Sequence, residues 1–173
     1  MTAKMTVIQE DITQLQVDAI VNAANSSLLG GGGVDGAIQR GAGPELLEEC
    51  KKLGGCLTGQ AKITDAYQLP CKKVIHTVGP IWHGGVQKEP ELLRNCYINA
   101  ISLAAENQLR SIAFPAISCG VYGYPIGQAC EIAINTIAEQ ISYHIDIRKV
   151  IFCAFGDDIY NAYISAMQKL QMH

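Results

Sequence analysis

Asp18-Ala19-Ile20-Val21-Asn22-Ala23-Ala24-Asn25-Ser26-Ser27-Leu28-Leu29-Gly30-Gly31-Gly32-Gly33-Val34-Asp35-Gly36 carries an apolar run through two asparagines into four consecutive glycines and then to a carboxylate. So short a run, bounded by polar and glycine residues, reads as a buried strand feeding a loop. Four glycines lower the steric cost of positive φ and let backbone N–H groups approach a ligand closely, as wrapping a phosphate requires. Asn25 and Asp35 bracket that loop. An amide set across a backbone cradle from a potential general base suits a polar ligand that is both held and attacked.

On either side of this stretch, short β-branched runs alternate with longer helical patterns, the signal for a sheet covered by helices. Met5–Gln9 predicts a first strand and Asp18–Asn22 a second. After the glycines one helix is expected from about Val34 to Leu53, with Leu46, Leu47, Cys50 and Leu53 on one face and Gly54-Gly55 ending it. Strands follow near Ala61–Thr64 and at Lys73–Thr77, then a loop holding Gly79-Pro80 and Trp82. Glu89-Pro90-Glu91 opens a helix reaching about Asn107, its first turn acidic as the positive end of the helix dipole favours. The rhythm repeats as strand Ser111–Ile117, loop Ser118–Pro125, helix Gly127–Ser142, strand Lys149–Phe155 and helix Asp157–Leu170.

Ligands of such sheets sit outside the carboxyl ends of the strands. Three of those ends lead to Asn22–Asn25 with the glycine loop, to Ser118-Cys119-Gly120-Val121-Tyr122-Gly123, and to Phe155-Gly156, so three segments share one rim. In the second segment Gly120 and Gly123 flank Tyr122 directly after an apolar strand. Its backbone can clamp a diphosphate, Ser118 and Cys119 can add donors, and Tyr122 offers a ring and a hydroxyl to a sugar. The plainer account is a glycine turn with a surface tyrosine.

With 173 residues, 49% of them hydrophobic and 17% charged, the chain fits one compact domain spanning 1–173. A net charge of −3, without clustered Lys and Arg, argues against broad capture of nucleic acid, and none is expected as a partner. No apolar run approaches the roughly 18 residues of a membrane span, and Met1-Thr2-Ala3-Lys4-Met5-Thr6 lacks a signal-peptide core. A cytoplasmic protein without a membrane partner is expected.

Seven scattered cysteines without a C-x-x-C pair are not a disulfide framework and read mainly as small core hydrophobes. His76, His83, His144 and His173 show no zinc-site spacing. Gly31, Gly33 and Gly36 satisfy G-x-G-x-x-G, but the strand lies too far away and no acid-ended strand follows about 20 residues on. The Gly-Lys-Ser/Thr of a P-loop and the G-x-S-x-G elbow are missing.

Glu10-Asp11-Ile12-Thr13, Val17–Asn25, the spacing Asn25-x6-Gly32-Gly33-Val34-Asp35, Ile75–Pro80 and Pro115–Pro125 together resemble the macrodomain family, most closely its MacroD-type branch, in order and over almost the whole chain. The resemblance implies a three-layer α/β/α sandwich with a mixed central sheet and a cleft for ADP-ribose. It implies removal of ADP-ribose from acidic protein side chains, or of acetyl from O-acetyl-ADP-ribose, with neither metal nor cofactor. Expected partners are ADP-ribose, its esters and mono-ADP-ribosylated proteins; a non-catalytic ADP-ribose reader is the rival.

Carried over by residue, the family pattern makes Asp11 the acceptor for the adenine amino group, with Ile12 nearby, and a carboxylate does discriminate an exocyclic amine from a carbonyl. A turn acid is the alternative for Asp11, and a core position for Phe155, otherwise an adenine wall. The diphosphate is expected between Gly30-Gly31-Gly32-Gly33-Val34 and Ser118-Cys119-Gly120-Val121-Tyr122, held by N–H groups. Asn25 is expected to orient the distal ribose, and Asp35 to position or deprotonate a water attacking the anomeric carbon or an ester carbonyl. The plainer roles are an Asx turn for Asn25 and a first-turn helix carboxylate for Asp35. Cys119 departs from the family's usual threonine; a nucleophilic thiolate in an N–H-rich loop is the sharp alternative to a small replacement.

Overall fold

Period-two alternation along the strands sorts apolar side chains onto the two faces of a six-stranded sheet, and each face is covered by its own helices. The computed structural model describes residues 3–172; Met1 and Thr2, read above as part of a polar N-terminus, and His173 lie outside the described residues. The strands are β1 (Lys4–Gln9), β2 (Ala19–Ala23), β3 (Ala61–Asp65), β4 (Lys73–Thr77), β5 (Ser111–Phe114) and β6 (Lys149–Ala154). The helices are α1 (Gly33–Ala42), α2 (Pro44–Leu53), α3 (Glu89–Glu106), α4 (Ile126–Gln140) and α5 (Asp157–Gln171), with a single 3-10 turn at Ile12–Gln14 after β1.

Spatial order is β1-β6-β5-β2-β4-β3, parallel except for β3, which runs antiparallel to β4. The mixed sheet between two helical layers is therefore the observed architecture. Val21, Ile75, Ile112, Phe114 and Phe152 point to the face packed by α3, α4 and α5. Ile20, Val74, Ala113 and Ile151 point to the other, beneath Ile38 and Ala42 of α1 and Leu46 and Cys50 of α2. Residues two apart along β2 and β4 share this second face, so Asn22 follows Ile20, and His76 follows Val74, into the α1/α2 layer. Phe114 touches both Tyr97 and Phe152, with ring centroids 5.0 and 6.1 Å apart.

Several expected boundaries differ. The helix predicted over Val34–Leu53 is two helices, because Gly43 takes φ 90° and ψ 177° and Pro44 opens α2. Proline disfavours helical geometry in the residue before it and lacks the N–H needed to continue the first helix, so the chain turns there. The strand expected to run to Ile117 stops at Phe114, before Pro115, and α4 spans Ile126–Gln140 rather than Gly127–Ser142. β6 ends at Ala154, which puts Phe155 beyond the sheet.

Candidate active site

At the carboxyl ends of the central strands a cleft of about 910 Å³ opens between the 3-10 turn, the N-terminus of α1, the Ala116–Tyr122 loop and the β6–α5 junction. Asp11, Ile12, Asn25, Gly31, Gly32, Gly33, Val34, Asp35, Ser118, Cys119, Gly120, Val121, Tyr122 and Phe155 all line it. Gly30 does not; its carbonyl instead accepts from Asn25 Nδ2 at 2.9 Å and closes the Asn25–Gly30 loop.

The α1 end of the cleft is built by close backbone approach. A Cβ on Gly36 would lie 2.6 Å from the Gly31 carbonyl oxygen, so the first turn of α1 and the glycine loop touch only because Gly36 has no side chain. Gly33 begins the helix at φ 57°, a left-handed conformation that glycine adopts without penalty. Gly33, Val34 and Asp35 have no intrahelical partner for their N–H groups, so the positive end of α1 faces the cleft.

Asn25 and Asp35 converge on Gly31, where an added Cβ would sit 3.2 Å from Asp35 Oδ2 and 3.5 Å from Asn25 Nδ2. Asn25 Oδ1 accepts from the Ser27 hydroxyl at 2.6 Å, so its side chain serves the turn as well as the cleft. Asp35 is buried, and burial pushes its carboxyl above the ordinary range; hydrogen bonds from Asn22 and Gln39 offset part of that rise. Asn22 Nδ2 donates to Asp35 Oδ1 at 2.9 Å, which leaves Oδ2 toward Gly31.

The second loop is held by contacts that spend two of its expected donors. The Ser118 hydroxyl donates to the Pro80 carbonyl at 2.8 Å, and Cys119 N–H to Ala116 at 3.3 Å. Ser118 stands at φ 68°, uncommon for a residue with a side chain. Gly79 lets it fit: a Cβ there would come within 2.2 Å of Ser118 Oγ. Gly120, Val121 and Tyr122 donate no backbone bond within the described residues and remain for a ligand.

Burial pushes the Cys119 thiol up to about 12. Its sulfur approaches the Ile117 carbonyl, and His76 is engaged with Asn22, Thr64 and Cys50. With its thiol so raised, the nucleophilic-cysteine alternative has no thiolate at neutral pH. Trp82 packs on Tyr124 with centroids 4.7 Å apart, and its backbone N–H donates to the Tyr122 carbonyl at 2.8 Å. Asp11 Oδ1 caps the 3-10 turn through the Thr13 N–H at 3.0 Å and hydroxyl at 2.7 Å, so its turn role exists beside its place in the cleft. Phe155 is 91% exposed, and the core position considered for it is corrected.

Sequence reasoning missed Arg40, a cation one turn beyond Gly36 that lines the same cleft, along with Asn22 and Cys153. Arg40 was readable as the i+4 neighbour of Gly36 on the α1 face. Asn22 was signalled by a polar residue at a strand position two beyond buried Ile20. Among the described residues, no three His, Cys, Asp or Glu side chains gather as a metal site, and no helix is long and apolar enough to cross a membrane.

The Macro domain family model matches residues 21–133, which include both the glycine loop and the Ser118–Tyr122 loop. The chain belongs to the Macro domain family. A Macro domain-containing protein of Chlorobaculum tepidum is 61% identical over 162 residues, covering 92% of this chain and 94% of its own. An O-acetyl-ADP-ribose deacetylase of Salmonella newport is 55% identical over 167 residues, covering 94% and 93%. Among solved macrodomains, a substituted form of the Oceanobacillus iheyensis protein with ADPR superposes with a TM-score of 0.92 at 44% identity, covering 96% of this chain and 93% of that one.

Proposed function

We propose that this macrodomain hydrolyses esters of ADP-ribose, taking acetyl from O-acetyl-ADP-ribose and mono-ADP-ribose from acidic protein side chains. The observation that carries this reading is the convergence of Asp35 Oδ2 and Asn25 Nδ2 on Gly31, beside a cradle of free N–H groups. The likeness to an O-acetyl-ADP-ribose deacetylase and to a macrodomain solved with ADPR supports it.

Asp11, through the oxygen not used in the turn, accepts from the adenine amino group, and the exposed Phe155 ring covers the base. The diphosphate lies between the N-terminus of α1 and the N–H groups of Gly120, Val121 and Tyr122, with Arg40 as the one cation lining the cleft among the described residues. Asn25 holds the distal ribose hydroxyls. Asp35 takes a proton from a water as its oxygen attacks the ester, and returns that proton to the departing oxygen. A carboxyl raised by burial is a better base at neutral pH than an ordinary one, provided it stays ionised.

The test is a time course of free ADP-ribose released from glutamate-linked ADP-ribosylated protein, with a parallel assay on O-acetyl-ADP-ribose. Asp35→Ala should lower turnover by about a hundred- to ten-thousand-fold while calorimetry finds ADP-ribose binding retained. Tight binding by the wild type with no release from either substrate would make the chain a reader and overturn the role of Asp35.

A further inference from the structure

Behind Asp35 runs a row of polar side chains in a layer otherwise filled by aliphatic residues and cysteine: Asn22 on β2, His76 on β4 and Thr64 on β3, at 0, 1 and 2% exposure. Asn22 stands directly opposite His76 in the parallel β2–β4 register. The row ends one hydrogen bond from the cleft. Burying so many polar groups is costly unless each finds a partner, and here nearly all do.

With the Asn22 amide donating to Asp35, one direction follows for every other link. Asn22 Nδ2 reaches two acceptors, Asp35 Oδ1 at 2.9 Å and His76 Nδ1 at 3.1 Å, one for each of its hydrogens. His76 must then carry its proton on Nε2, which meets Thr64 Oγ1 at 2.9 Å, and the Thr64 hydroxyl passes its own hydrogen to the Asp65 carbonyl at 3.0 Å. The orphan is Asn22 Oδ1, buried without a partner. Turning the amide over would set that oxygen 2.9 Å from an Asp35 carboxylate oxygen and bury two unpartnered N–H bonds instead, a worse arrangement by repulsion and by count.

We propose that Asn22 and His76 are positioning residues for Asp35: Nδ1 of His76 orients the Asn22 amide, and that amide holds one carboxylate oxygen so that the other faces Gly31 and the cleft. This rests on the hydrolase reading above and assigns what makes its general base effective. Burial alone opposes ionisation of Asp35; a donor locked in place by a neutral histidine favours the charged form. Burial also holds His76 near 4, so the imidazole remains an acceptor through the neutral range. The titratable and charged groups packed around the row are Asp35 and the exposed Arg40 on α1, Cys50 and Glu49 on α2, and Lys62 on β3, which stands opposite His76 in the antiparallel register and donates to the Leu53 and Gly55 carbonyls. Cys50 Sγ lies 3.8 Å from His76 Nε2, and Glu49 is tied to Asp65 N–H and the Tyr67 hydroxyl. None of these supplies Asn22 with another acceptor.

The experiment follows the ¹³C carboxyl titration of Asp35 and the acid limb of kcat/KM in the wild type, Asn22→Leu, His76→Gln and His76→Asn. Asparagine at 76 can present an oxygen near the place of Nδ1, whereas glutamine reaches toward Nε2 and leaves that place unfilled. Asn22→Leu and His76→Gln should move both midpoints up by about one to two pH units, and His76→Asn should restore them. A merely structural role lowers the folded fraction and the plateau without moving either midpoint, and that result overturns the proposal. Should the variants not fold, ¹⁵N shifts of His76 in the wild type decide: an Nε2–H tautomer supports the row, and an Nδ1–H tautomer overturns it. Failure of the wild type to turn over defeats the hydrolase reading, while the carboxyl titration still answers for the positioning residues.

Discussion

Gly31 is where the chemistry of single residues is most sharply tested. Its backbone is not left-handed, so alanine is conformationally tolerable there, yet its methyl would stand 3.2 Å from Asp35 Oδ2 in the space where both polar groups aim. Gly31→Ala should therefore fold with an unchanged melting temperature and lose kcat/KM by about tenfold to a hundredfold, because small displacements of reacting groups are expensive. A steady-state assay beside a thermal melt checks both halves. Gly36 differs, since a methyl there meets the Gly31 carbonyl at 2.6 Å, closer than the yielding Arg40 guanidinium at 3.1 Å, and forces the loop itself to move.

Among elements, the second half of the segment joining β4 to α3 is gathered by one carboxylate. Glu89, at the first position of α3, accepts the N–H of His83 at 2.8 Å, of Gly85 at 2.9 Å and of Gln87. Burial raises its carboxyl, but these backbone donors outweigh that and hold it at about 2. A carboxylate so lowered contributes stability that is fully present above its unfolded value of 4.5 and is lost as pH falls from there through about 2. Trp82, the only tryptophan, lies in this segment and reports on it. Its emission should shift to the red across that interval in the wild type, and Glu89→Gln should show the shifted spectrum already at neutral pH. A spectrum unchanged in both would show that the carboxylate does not hold the loop.

For the whole molecule, the buried neutral His76 sets a slope of stability against pH. Its folded pKa of about 4 lies below the unfolded 6.5, so the unfolded chain binds the extra proton between these values. Stability is full above 6.5, declines by on the order of 3 kcal/mol as pH falls to 4, and is flat with respect to this group below that. Urea titrations at pH 7.5 and 4.5 should show the decline, and His76→Leu should remove this contribution to it. Alternation of apolar runs and helical stripes made the sheet and most helices legible in the sequence, and the gathering of Asn25, Asp35 and the two glycine-bearing loops at one cleft was legible through the strand ends and the family resemblance. Gly43-Pro44 carried the break between α1 and α2 in plain view, but the apolar stripe through Leu46 and Cys50 read straight across it. The Asn22–His76–Thr64 row was not legible, because only strand order sets β2 beside β4 and β4 beside β3, and residues 22, 64 and 76 have no local pattern in common.

β6 lies between β1 and β5, so the first strand of the chain is joined to the rest of the sheet by the last. During synthesis the ribosome releases Lys149–Ala154 some 140 residues after Lys4–Gln9, on the order of ten seconds at ordinary elongation rates. Throughout that interval the nascent chain holds an unpaired strand and lacks the Cys153–Gly156 wall of the cleft. A complete cleft thus waits for β6 to be made, and a chain stalled before residue 149 presents a strand edge for chaperones rather than a site for ligand.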